Sequence, residues 1–191
     1  MRATPPGRAA ERAPHAMAAF RAVVPMSGSF GDDRVVVIPS PAQGAALRHL
    51  RMLTTDEVPM LAAHWLVEFD SPALRRLAGL DRSDGWLIDQ AWPEVLADLG
   101  VHDVSGEQGW DLAISFQLAS WQAGERSITE VMSQVIRAYI ENDYPRYVPE
   151  AGALYGLEDE LEGHWGRASE DVLAEAEQTL IEWAKRRGLA S

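Results

Sequence analysis

Apolar residues between positions 128 and 140 recur with a rhythm that only a helix satisfies. Ile128, Val131, Met132, Val135, Ile136, Tyr139 and Ile140 alternate steps of three and one, so all seven fall on one helical face. Ser127 and Glu130 form a capping box, in which hydroxyl and carboxylate each engage an orphan amide at the helix start. Asp143-Tyr144-Pro145 ends the segment. This is the expected central helix of the fold.

The rest of residues 52–191 reads the same way. Val58, Leu61, Ala62, Trp65, Leu66 and Phe69 make one stripe, with Pro59 in its first turn. Ser71-Pro72 opens a short helix that Gly79 closes. Residues 86–90 predict a helical turn or two, and Pro93 predicts a kink or a new start before Gly100. Trp110, Ala113, Ile114 and Trp121 define a longer helix over residues 107–123. Pro149 opens another helix, broken at Gly163 and Gly166. Ser169 is the expected cap of the last, with Leu173, Ala176, Leu180, Ile181 and Ala184 as its buried face. Glu170 and Asp171 sit at its positive end, and Lys185, Arg186 and Arg187 at its negative end. No β-alternation occurs after residue 52. The expectation is an all-α single irregular bundle of six to eight helices.

Composition divides the chain near Met52. Residues 1–51 carry seven Arg against Glu11, Asp32 and Asp33, hold six of the eleven prolines, and lack Trp and Tyr. They are expected to be a largely disordered extension, or sequence upstream of the true start at Met26 or Met52. Val35-Val36-Val37-Ile38 is the one strand-like run there, too short to stand alone. All seven Trp and four Tyr lie in residues 52–191, which place the core in that acidic all-α domain. No apolar run reaches membrane-spanning length, and Arg21 interrupts the one signal-like stretch. A cytoplasmic location is the resulting expectation.

Leu61-Ala62-Ala63-His64-Trp65-Leu66, followed by Asp70-Ser71-Pro72-Ala73-Leu74-Arg75-Arg76-Leu77-Ala78-Gly79, is similar to the opening of a group of small helical bacterial proteins. Glu94-Val95-Leu96-Ala97-Asp98-Leu99-Gly100 matches a later helix end in that group. The resemblance covers about a third of the chain. It implies a helical fold and carries no activity, and Ser-Pro capping with Leu-x-x-Leu-Ala packing explains the motif structurally.

Chemistry-bearing patterns are sparse. The chain has no cysteine, which excludes disulfides, thiolate metal sites and cysteine nucleophiles. Seventeen basic against 29 acidic residues argue against a nucleic-acid binder. Glu160 and His164 are four apart beside Glu158, Asp159 and Glu162, but Gly163 disturbs the helix there and no second His follows at ligand spacing. His102-Asp103 reads as a loop, and His64 as a boundary residue. Ser27-Gly28-Ser29-Phe30-Gly31 has no Lys-Ser/Thr after it and is no phosphate loop. No catalytic residue, metal or cofactor is assigned.

Two features point toward binding. Residues 157–182 hold nine carboxylates and one basic residue, Arg167, a distribution that attracts a basic partner. Tyr144, Arg146 and Tyr147 sit in a Pro-bounded loop and are residue types favoured as interface anchors. The leading expectation is a non-enzymatic protein-interaction module, inhibitory or immunity-like toward a basic protein. Its face combines Tyr144, Arg146 and Tyr147 with Glu170, Asp171, Glu175 and Glu177. The alternative is a small helical enzyme or ligand- or metal-binding domain with a Trp/Tyr-lined pocket. A helix-turn-helix around residues 79–86, with Arg75, Arg76 and Arg82, ranks last because the acidic balance opposes it.

Overall fold

The structure, a computed structural model, describes residues 36–102, 104–163 and 166–189. Eight helices follow in order: α1 (Pro41–His49), α2 (Val58–Trp65), α3 (Pro72–Ala78), α4 (Gly85–Asp98), α5 (Gly106–Gln122), α6 (Ile128–Glu141), α7 (Pro149–Gly163) and α8 (Ser169–Arg187). A 3₁₀ turn, Thr55–Glu57, leads into α2. There is no strand among the described residues. The fold is all-α, as the periodicities require.

Residues 36–51 correct the expected boundary at Met52. Ser40 and Gln43 form a complete capping box, Pro41 occupies the first turn, and α1 follows. Its Ala45, Ala46 and Leu47, with Leu50 after it, are buried. The helix was hidden because its contact face is made of small residues, which give little hydrophobic periodicity. Gly44 lets the backbone approach Trp65 so closely that a Cβ there would lie 2.7 Å from the indole. The expectation for residues 1–35 lies outside the described residues.

Helix α1 joins two apolar clusters. Ala45 belongs to the one built from Val58, Leu61, Trp65, Leu74, Leu77, Ile88 and Val95 on α2, α3 and α4. Ala46 and Leu47 belong to the larger one, centred on Trp110, Ile114, Val135, Ile136, Leu154, Leu180 and Trp183. Helix α6 supplies Val131, Met132, Val135 and Ile136 of its predicted stripe to that core, while Ile128 and Tyr139 are half-buried against it and Ile140 is 40% exposed. It packs on α7, which packs on α8, and α8 returns to touch α5 and α6.

Two local expectations are revised, and at Pro93 one of two alternatives falls away. Helix α4 runs through Pro93 without a new start. Pro93 and Asp89, whose carbonyl loses its intrahelical donor, are both exposed, so water can satisfy the freed group. Ala168, one residue earlier than Ser169, caps α8. The buried face of α8 is Val172, Ala176, Leu180, Trp183 and Ala184, while Leu173 and Ile181 are half-buried. Trp183 sets that rotation by stacking on Trp110, with centroids 6.3 Å apart.

Candidate functional site

The turn between α6 and α7 is held in a demanding conformation. Asp143 and Tyr144 both have positive φ, 57° and 53°, which costs energy for residues with a Cβ. Packing enforces it. Pro145 and Val148 are buried, the Tyr144 amide donates to the Tyr139 carbonyl at 3.0 Å, and the Tyr144 ring meets Tyr139 and Tyr155 edge-on, at 5.3 and 6.3 Å. Tyr144 nevertheless stays 49% exposed and Tyr147 44%. Arg146 is exposed and has no ion pair among the described residues.

The basic end of α8 is used internally. Arg187 pairs with Glu107, lies 3.8 Å from Asp111, and donates from Nη2 to the Tyr147 carbonyl at 3.0 Å. Arg186 pairs with the buried Glu150 at 3.1 Å. Burial pushes the Asp111 carboxyl up, Arg187 opposes that, and Glu107 and Glu150 add to it.

The acidic end is different. Arg167 bridges Glu160 on α7, at 2.7 Å, and Glu175 on α8, at 2.5 Å. Glu170, Asp171 and Glu177 are exposed and have no ion pair among the described residues. Asp159 and Glu162 on α7 are likewise exposed and unpaired. Glu158 reaches Ser133 at 3.4 Å. Burial pushes its carboxyl up, the Ser133 hydrogen bond opposes this, and the charges of Glu162 and Asp159 add to the rise.

The seven residues expected to form one face therefore divide. At 1.5 Å per residue, Glu170 and Arg187 stand about 25 Å apart along α8. Tyr147 lies at the Arg187 end, far from Glu170, Asp171, Glu175 and Glu177. Tyr144 instead contacts α7 through Tyr155, one turn before Glu158 and Asp159. Glu175 joins the α7 acids through Arg167.

Two clefts of about 280 Å³ each open on the surface. One lies along α6 and α7 between Ser133, Ile136, Ile140 and Glu158. The other lies beside α1, between Val37, Met52, Met60, Leu61, Phe116 and Arg126. Neither is lined by Trp or Tyr, unlike the pocket expected for a small enzyme. Trp65 and Trp92 pair in one core, 5.8 Å apart, and Trp110 and Trp183 in the other. Trp86 is 68% exposed. His64 lines the α1 cleft and His102 is an exposed loop residue, while Asp103, His164 and Trp165 lie outside the described residues. Among the described residues no group of three potential ligands could hold a metal ion. Arg75 and Arg76, two of the three cations a helix-turn-helix would use, pair with Asp70 and Glu94.

One polar network escaped the sequence reading. Gln117 is completely buried on the apolar stripe of α5. Its Oε1 accepts from Arg126 Nη1 at 2.9 Å, and its Nε2 donates to Gln134 Oε1 at 2.7 Å. The signal was present as a Gln three residues after Ile114 and four before Trp121, where the stripe calls for an apolar residue.

No family model matches the chain, and no curated protein or solved structure does. Among the described residues no helix is long and apolar enough to cross a membrane.

Proposed function

We propose that the chain is a non-enzymatic, cytoplasmic interaction module that captures a basic protein on the acidic surface of α7 and α8. One observation carries this reading. The single basic residue of residues 157–182, Arg167, is held by Glu160 and Glu175, while Glu170, Asp171 and Glu177 stand exposed and unpaired among the described residues. Concentrated like charge destabilises the free protein by self-repulsion and accelerates encounter with an opposite charge. Tyr144, packed on Tyr155 of α7, gives the acidic helix an aromatic edge. Tyr147 and Arg146 belong to this surface less directly, because Tyr147 is tied to the far end of α8.

Capture of a partner from host extract on the immobilised full chain tests the reading. A basic protein retained at low salt and released at high salt is the expected result. Retention that salt does not weaken would rule out an electrostatic face.

A further inference from the structure

The cleft beside α1 contains a cation with no close ion pair among the described residues, Arg126; the Glu130 carboxylate acts on it only at longer range. Arg126 reaches into it with its guanidinium 5.7 Å over the Phe116 ring. Nη1 donates to the Oε1 atoms of Gln117 and Gln134. Both acceptors are neutral amides, and Gln117 is itself fixed by Gln134 and lies against Met52 Sδ at 3.8 Å. Nε and Nη2 have no hydrogen-bond partner among the described residues, and no carboxylate comes within ion-pair distance of Arg126 there. The nearby acids spend their hydrogen bonds elsewhere, though Glu130 also feels the charge of Arg126. Glu130 accepts from the Ser127 amide and hydroxyl, and Glu125 accepts from the Val37 amide. Arg82, the other cation on the lining, interacts with Asp56.

A half-buried guanidinium with no carboxylate hydrogen-bonded to it gains when an anion docks on its open edge. Its planar fork, already oriented by two amides and a ring face, suits a carboxylate bound through two parallel hydrogen bonds. Apart from Asp56, Glu57, His64 and Arg82 the rest of the lining is apolar, including Val37, Leu61, Phe116 and Met60, which is 48% exposed. Asp56 and Glu57 stand on the same lining and repel a second negative charge. The volume, about 280 Å³, is near the lower end for small-molecule sites, which limits the chain to medium length.

We propose that this cleft binds a medium-chain aliphatic monocarboxylate, its carboxylate on the open edge of Arg126 and its chain along Val37, Met60, Leu61 and Phe116. The site is separate from the acidic surface of α7 and α8, and its existence does not depend on a basic partner.

Titration calorimetry of the full chain with octanoate, n-octanol and hexanoate tests this without any variant. Octanoate is expected to bind at least about tenfold more tightly than octanol, because only the acid hydrogen-bonds to the charged fork. It is also expected to exceed hexanoate by about threefold to fourfold per added methylene. Arg126→Gln should erase the preference for acid over alcohol. Met60→Gln should weaken the chain-length dependence and leave the acid preference in place. Equal binding of octanoate and octanol, or no binding of either, would overturn the proposal. So would an acid preference that survives in a folded Arg126→Gln variant.

Discussion

Trp65 donates its indole N–H to the backbone carbonyl of Pro39 across 2.7 Å. This one bond fastens the chain entering α1 to the core of α2, α3 and α4. Trp65→Phe leaves a buried carbonyl without its donor and opens a cavity where the outer indole carbons pack against Gly44. A loss of at least about 2 kcal/mol is expected, seen as a lower urea midpoint with an unchanged slope. Gly44→Ala should cost about 1–3 kcal/mol, because the new methyl meets the same indole at 2.7 Å.

That relationship also explains what the sequence concealed. The stripe of α6, its capping box and its end at Asp143-Tyr144-Pro145 were legible, because local periodicity and caps determine them. Helix α1 was not, since an Ala- and Gly-rich face carries no periodic signal and its value lies in fitting Trp65 from afar. The rotation of α8 was missed for a similar reason: Trp183 pairs with Trp110, a residue 73 positions away. The acidic run of α7 and α8 was visible as charge. Its separation from Tyr147 is set by the contact of Arg187 with that loop, 40 residues away in sequence, which no local pattern encodes. Arg126 gave no local signal, because Gln117, Gln134 and Phe116 come together only across the α5–α6 turn.

Ser127 and Glu130 cap α6 reciprocally. Ser127→Ala should cost about 1 kcal/mol. The Glu130 carboxyl is held below its ordinary range, chiefly by the Ser127 backbone hydrogen bond and then by its hydroxyl. A depressed folded-state pKa contributes stability above the unfolded carboxyl range and loses it as pH falls through the folded value. Glu130→Gln should therefore flatten the acid side of the stability profile, measured by denaturation between neutral pH and pH about 3.

Glu158 has the opposite sign. Its carboxyl is pushed up by burial, and further by Glu162 and Asp159. The folded state then binds a proton more readily than the unfolded chain, so this group weakens folding as pH rises from the unfolded carboxyl range through the raised value. Glu158→Gln should gain stability relative to the parent at neutral pH, and the gain should vanish in acid. A gain that is independent of pH would mean that packing, not charge, limits this position.

The basic-partner account stands on charge at one place, and paired reversal tests it most directly. Glu170→Lys/Glu177→Lys changes exposed, unpaired carboxylates on α8, and Glu68→Lys/Asp84→Lys makes the same change in net charge on exposed positions near α2 and α4. Both variants and the parent would be immobilised as full chains, and the basic protein retained from host extract quantified at low salt. The account predicts that the α8 pair loses at least about tenfold of the captured protein while the control pair keeps most of it. Equal loss in both variants would reduce the interaction to net charge, and full retention by the α8 pair would contradict the assignment of the acidic face.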